Sequence, residues 1–547
     1  MPHDLVIRAG TLLDGSGAPG RTGDLAIDGG RLTQVGGRAG AARREIDAGG
    51  LAVAPGFIDP HTHYDAQISW DPALTPSCWN GITSCVMGNC GFTLAPCKPE
   101  DRSRLMRMLE RVEGMSLAAL EQGIRWSWQS FPEYLDALAE MRPALNVGGL
   151  IGHSAMRYFV LGDEATEREA SPAEIERMRG LLRGGMQAGA LGFSTSQAPT
   201  HLDGDGKPVP SRLASDEEVI TLAEVLAEFG RGAFEITAKQ LTDVDVSIAA
   251  ARRSGRPVSF LGGIRADAEA KLARARAEGL ALLPQTSCRP SLMDFRLGEM
   301  GLFDQLPCWT QVAKAKGAAL REVFRSAAFR EAFRRDTTGA FEGFRLFKGD
   351  YDGIVILLAE RPDLRKWVGK SIADVARSRG ADPLDAFFDL ALEDDLRMQF
   401  SYCLASDLGR EGSLLSEDYM VGLSDAGAHL TLLADHAYTT YFLGTWVRER
   451  KLMSLEQAVR KLTQVPAQFF GIPERGELRE GWHADVVAFD PARIGARAAE
   501  LVYDLPGGGA RLVTRADGIE ATVVNGEIAV LRGELTGARS GQVIRGA

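Results

Sequence analysis

Eight short apolar runs punctuate the middle of this chain, and amphipathic helical stretches fall between them. The runs are Val53–His63, Thr83–Cys90, Val147–His153, Ala190–Ser194, Ala233–Thr237, Val258–Gly262, Ala281–Gln285 and Met420–Asp425. The helical stretches include Ser103–Glu113, Ser171–Ala188, Asp216–Phe229 and Asp267–Glu278. Strands alternating with helices build βα units and a parallel sheet. Eight such runs suit a closed (β/α)8 TIM barrel. The stretch from Thr286 to Tyr419 exceeds what one βα connection needs. It predicts an insertion after barrel strand seven, over residues 290–347, that caps or flanks the barrel mouth.

The two ends of the chain have another rhythm. DLVIRAGTLLDG, DLAIDGGRLTQVG and REIDAGGLAVAPG at the start, and HADVVAFD and GIEATVVNGEIAVLRGELTG at the end, are short strands broken by Gly-rich turns. Asn525-Gly526 between two apolar runs is a hairpin signal. The expectation is one small β-sandwich built from both ends, residues 1–54 and 475–547, around a barrel over 55–474.

Composition narrows the partners. The 73 acidic residues outnumber the 62 basic ones, for a net charge of −11. No basic stripe is present, and Arg330 to Arg335 reads as a solvated helix face, so a nucleic-acid partner is excluded. Seven cysteines, an odd number in a long chain, do not form a disulfide framework. No apolar run is long enough to span a bilayer, and MPHDLVIRAG lacks the blocks of a signal peptide. These features predict a soluble cytoplasmic protein that acts on a small molecule.

The chemistry starts at Pro55-Gly56-Phe57-Ile58-Asp59-Pro60-His61-Thr62-His63, an apolar strand ending in His-x-His. Residues i and i+2 of a strand share a face, so both imidazoles converge at the C-terminal mouth. Imidazole is a common ligand for zinc and its neighbours. The plainer alternative is two surface histidines, and the flanking PGFID speaks against it. Gly88-Asn89-Cys90-Gly91 closes the second strand. Cys90 is open to two readings, a thiolate ligand or a buried structural cysteine. Asp425, in GLSDAGAH, ends the last run. A carboxylate there either ligates a metal and takes a proton from water, or caps the next helix.

Together, PGFIDPHTHYD, GNCG, GLIGHSAMR, GALGFS, SDAGAH and the tail from GELREGWHADVVAFDP to GQVIRG resemble the amidohydrolase superfamily. Within it they are similar to the branch of N-acyl-D-amino-acid deacylases (D-aminoacylases). The resemblance covers nearly the whole chain. His-x-His with PGFID is specific to the superfamily and GNCG to the branch. It implies a metal-dependent TIM barrel with a β-sandwich from both chain ends. It also implies that His61, His63 and Cys90 face the metal, Cys90 standing where relatives outside the branch use a carboxylated lysine. Asp425 is then the strand-eight carboxylate, ligand and general base.

One departure matters. The resemblance implies a histidine ligand on strand five and another on strand six. Here strand five reads Gly232 to Thr237 and strand six reads Pro257 to Gly263, and neither contains histidine. Thr237 falls at the strand-five ligand position, and strand six offers Ser259 among apolar residues. This favours one divalent ion, zinc, over two. Glu235 shares a face with Thr237. A carboxylate in a packed interior must be paired, protonated or metal-bound. Glu235 is therefore a metal ligand or catalytic group, or a buried hydrogen-bonding anchor.

Four further residues are candidates for substrate binding. His153 closes strand three and either orients substrate or is a satisfied core histidine. His201 lies in the loop after strand four, at the face where barrel loops carry function. Arg212 and Arg289, like Arg157, follow strand ends, where a guanidinium can hold a substrate carboxylate bidentately; structural ion pairs are the alternative. The expected function is metal-dependent hydrolysis of a non-peptide amide bond, as in an N-acyl amino acid. Asp425 takes a proton from the activated water and returns it to the leaving nitrogen. The rivals are a same-fold hydrolase of a lactone, ester or cyclic amide, and a degenerate barrel that binds a small molecule without turnover.

Overall fold

The computed structural model describes residues 1–240, 243–261, 266–298, 301–338, 345–431 and 435–546. It comprises two compact units. The first takes in Met1–Arg289, Gly409–His429 and Ala434–Ala547; the second takes in Pro290–Leu408 and Leu430–Leu433.

The first unit contains an eight-stranded parallel sheet in sequential order. Its strands are β1 (Phe57–Asp59), β2 (Ile82–Met87), β3 (Asn146–Gly152), β4 (Gly192–Ser196), β5 (Ala233–Thr237), β6 (Val258–Leu261), β7 (Leu282–Thr286) and β8 (Met420–Val421). Every residue of β1 to β5 is buried, as expected where helices cover a parallel sheet. Past the strand ends, Thr62 and Ala426 form a parallel bridge, and the His63 N–H donates to the Ala426 carbonyl at 2.8 Å. That bridge brings the first and last strands together, so the sheet is curled in the manner of a TIM barrel.

The helices start where the sequence marks them. Ser171 and Glu174 form a capping box ahead of Pro172–Ala188, and Gly189, at φ 106°, ends that helix. The expected helix over Asp216–Phe229 is two, Asp216–Ala223 and Val225–Phe229. No helix among the described residues is long and apolar enough to cross a membrane.

A second, nine-stranded sheet draws on both chain ends. Its order is Glu534–Leu535, Glu527–Leu531, Ile519–Val524, Val486–Phe489, Ala52–Pro55, His3–Leu12, Arg21–Asp28 and Arg31–Val35, with Ala42–Asp47 also pairing with His3–Leu12. Alternate residues Leu5, Ile7, Leu25, Ile27, Val486, Ala488, Ala521 and Val523 share one apolar core. Asn525 (φ 47°) and Gly526 (φ 83°) turn the hairpin between Ile519–Val524 and Glu527–Leu531, the positive φ pair that a type I′ turn requires.

The run Val53–His63, read from the sequence as one strand, is divided. Ala52–Pro55 belongs to the nine-stranded sheet and Phe57–Asp59 to the curled sheet. Gly56 is the junction, and a Cβ there would lie 2.1 Å from Thr83 Oγ1. The first metal-ligand candidates therefore begin just after the chain has passed from one sheet into the other.

The second unit has a three-stranded antiparallel sheet in the order Ser291–Phe295, Gln399–Ala405, Ile354–Leu358. Phe303, Trp309, Phe324, Phe333, Phe387 and Phe400 fill its core. The unit runs on to Leu408, past the expected 290–347, because Gln399–Ala405 is the central strand of its sheet.

Candidate metal centre

His61 and His63 follow β1, Cys90 follows β2 and Asp425 follows β8. Ligand atoms of His61, His63 and Cys90 lie within 4.8 Å of one another. Cys90 Sγ is 3.4 Å from His61 Nε2. Asp425 Oδ1 is 3.2 Å from His61 Nε2 and 3.6 Å from His63 Nε2. The His61 Nδ1–H donates to Gln285 Oε1 of β7 at 2.9 Å. An amide oxygen only accepts, so the Nε2 lone pair of His61 is turned to the other three groups.

The Cys90 turn is held in an unusual backbone state. Cys90 has φ 54°, in the left-handed region that side chains disfavour. Three contacts hold it there. The Cys90 N–H donates to Glu235 Oε2 at 2.7 Å, the Gly91 N–H donates to Ser194 Oγ at 3.0 Å, and Ser194 Oγ–H donates back to the Gly88 carbonyl. Thr237 Oγ1–H donates to Cys90 Sγ at 3.3 Å. Asp425, too, is left-handed, at φ 46°.

The electrostatics fit a cation. Burial, reinforced by Glu235, Glu113 and Asp425, pushes the Cys90 thiol well above its ordinary pKa. A thiolate in that place needs a positive charge beside it. Burial also opposes ionisation of Asp425, but its hydrogen bond to His63 and the charges of both imidazoles hold it well below the usual carboxylate range. Burial lowers His61 to about 4. Burial acts the same way on His63, but Glu113 and Asp425 outweigh it and push that ring up to about 9. Two imidazoles, a thiol and an ionised carboxylate, converging in a buried site, are donors of the kinds a divalent ion of the zinc type accepts.

The other candidates fall in different places. Glu235 lies outside the ligand triplet and reaches it through the Cys90 backbone; burial pushes its carboxyl up to about 8. His153 is fully buried, with Nδ1 2.9 Å from Thr195 Oγ1 and Nε2 3.0 Å from Glu218 Oε1, so both ring nitrogens are engaged internally. Arg157 NH1 pairs with the same Glu218 carboxylate at 2.7 Å. Arg289 pairs with Asp435 at 3.4 Å and lies over the Tyr441 ring. His201 packs on Phe92, with Nδ1 2.7 Å from Ser196 Oγ, and burial, reinforced by His429 and His63, lowers it to about 3. Arg212 is half-buried, donates to the His201 carbonyl at 3.1 Å, and makes no ion pair among the described residues. Ser259, on β6, has a buried hydroxyl without a hydrogen-bond partner among the described residues. Gly262 and Gly263, at the end of the expected strand six, lie outside the described residues.

Two site residues escaped the sequence reading. Gln285 carries a weak signal, a polar residue at the end of an apolar strand. Glu113 carries none, being the last residue of an ordinary amphipathic helix.

A curled parallel sheet with His-x-His, cysteine and aspartate at its strand ends defines a class of metal-dependent hydrolases. A model of the amidohydrolase family matches residues 44–340 and 365–530. The chain belongs to the amidohydrolase family and is a metal-dependent hydrolase of non-peptide C–N bonds. It is 32% identical to an N-acyl-D-aspartate deacylase of Alcaligenes xylosoxydans xylosoxydans, over 99% of this chain and 95% of that protein. Among solved structures it is similar to an N-acyl-D-glutamate deacylase of Bordetella bronchiseptica in complex with zinc and a phosphonate inhibitor. The TM-score is 0.69 and the identity 28%, over the whole of both chains. A D-aminoacylase with a binuclear metal center gives a TM-score of 0.68 at 26% identity, again over both whole chains.

Proposed function

We propose that this chain deacylates an N-acylated amino acid of the D series, using one zinc ion held by His61, His63, Cys90 and Asp425. The convergence of two imidazoles, a thiol and Asp425 Oδ1 carries this reading. The deacylase relatives support the substrate class. When bound, such an ion supplies Lewis-acid polarisation of the scissile carbonyl and makes a water acidic enough to ionise near neutral pH. Asp425, held ionised by its imidazole neighbours, accepts the proton and returns it to the leaving nitrogen. Thr237 and Glu235 hold Cys90, the first at its sulfur and the second at its backbone, where two-metal relatives would need further ligands.

Arg212 is the proposed anchor for the substrate carboxylate, with neutral His201 beside it. His153 holds Glu218 on the helix Asp216–Ala223, and Arg289 pairs with Asp435 at the start of the helical turn Asp435–Ala437. The curled sheet is read as a closed (β/α)8 barrel over 55–474, with the nine-stranded sheet over 1–54 and 475–547 as its β-sandwich and Pro290–Leu408 as the insertion. Seven free cysteines suit a reducing cytoplasm.

The test is metal analysis with an amine-release assay on N-acyl-D-amino acids, their L-enantiomers, a lactone and an ester. We expect one equivalent of zinc, activity lost on chelation and restored by zinc, and turnover confined to N-acyl-D substrates. Zinc below about a tenth of an equivalent after reconstitution would refute the site. Acid release from the lactone or ester alone would refute the substrate class.

A further inference from the structure

Glu113 ends the helix Arg102–Glu113, and its side chain is 3% exposed. Both facts are costly. A buried carboxylate loses its hydration, and the C-terminus of a helix is the negative end of its dipole. The fold sets two imidazoles against that cost. Oε1 lies 3.5 Å from His63 Nδ1, a buried nitrogen with no hydrogen-bond partner among the described residues. Oε2 lies 3.7 Å from His429 Nε2. The Glu113 carbonyl also accepts the His429 N–H, and His429 takes a left-handed φ of 48°. One glutamate thus reaches His63 through one oxygen and His429 through the other.

We propose that Glu113 is a positioning residue for the metal centre. Its carboxylate takes the Nδ1–H of His63, fixes the tautomer that turns Nε2 to the metal, and holds His429 at the same site. This rests on His63 being a ligand. A carboxylate behind a ligating imidazole orients the ring and raises its basicity. His61 has only the neutral Gln285 amide in that place, at 2.9 Å. The two histidines are therefore unequally supported, and His63 is the stronger donor.

The experiment is competition for zinc between the full-length protein and a chromophoric chelator, for wild type, Glu113→Gln, Glu113→Asp and His63→Ala. Unfolding midpoints of the metal-free proteins, and kcat and KM at saturating zinc, accompany it. Glu113→Gln should weaken zinc about 10- to 100-fold. The metal-free protein should still unfold cooperatively, at a lower midpoint because the buried His63 ring loses its anionic partner, and kcat should fall with KM unchanged. Glu113→Asp, which keeps the charge on a shorter arm, should recover part of the affinity. If Glu113→Gln fails to fold, Glu113→Asp carries the test, with an expected loss of about tenfold. Wild-type zinc affinity in the folded Glu113 variants, with zinc lost in His63→Ala, overturns the proposal and leaves the ligand set standing. Wild-type affinity in His63→Ala overturns the ligand assignment and the proposal with it.

Discussion

Replacing Arg212 with methionine is the sharpest probe of what the active site recognises. Of the three arginines that follow strand ends, Arg157 is committed to Glu218, and Arg289 lies 3.4 Å from Asp435 and over the Tyr441 ring. Arg212 spends one donor on the His201 carbonyl and makes no ion pair among the described residues. A guanidinium has five N–H donors, so a free fork remains for a carboxylate. Hydrogen bonds to charged groups are worth about 1.5–3 kcal/mol. Only part of Arg212 is withdrawn from water, so one such bond is the fair count. At about 1.4 kcal/mol per decade, its loss lowers kcat/KM by about 10- to 150-fold. Methionine keeps the apolar stem, which separates loss of charge from loss of packing. The assay is amine release from an N-acyl-D-amino acid and from the same compound as its carboxamide. The free acid should show the full loss and the carboxamide almost none. An equal loss on both substrates, or no loss on either, would refute the anchor.

Two further outcomes concern stability. Arg157→Met takes the guanidinium from the buried Glu218 carboxylate, leaving it His153, and should cost about 3–5 kcal/mol, read as a lower urea midpoint; a midpoint within error of wild type would show that the pair is not structural. His436 is buried, accepts the Thr514 N–H on Nε2 at 2.8 Å, and is held well below its ordinary pKa by burial, reinforced by Arg289 and Arg511. The unfolded chain takes up a proton near pH 6.5 that the folded chain refuses, so this contribution is intact above that pH and drains away below it. His436 should add about 1.4 kcal/mol per pH unit to the slope in urea titrations between pH 6.5 and 5, alongside the likewise depressed His61 and His201, and His436→Gln should lower the slope by about that amount. An unchanged slope in that variant would assign the acid loss to other groups.

Much of the architecture was legible because it rests on local periodicity. The eight runs reappear as eight parallel strands, and Asn525-Gly526 turns its hairpin, since both depend on neighbours in sequence. The exception is Val53–His63. Its apolar character is unbroken, yet Gly56 hands the chain from one sheet to another, and the contact that demands glycine comes from Thr83.

The same division runs through the candidate metal centre. Spacing alone put His61 and His63 on one face of a strand end and drew notice to Cys90 and Asp425, because i, i+2 geometry and strand-end position are local properties. The supports are not local. Gln285 meets His61 across 224 positions, and Glu235 meets the Cys90 N–H across 145. Glu113 ends a helix whose sequence shows no more than amphipathic periodicity, and only the tertiary fold brings its two oxygens to His63 and His429. The sequence by itself determined which side chains can donate to a metal. The tertiary structure decided which buried carboxylates and amides orient them, because burial and electrostatic pairing are fixed by neighbours in space.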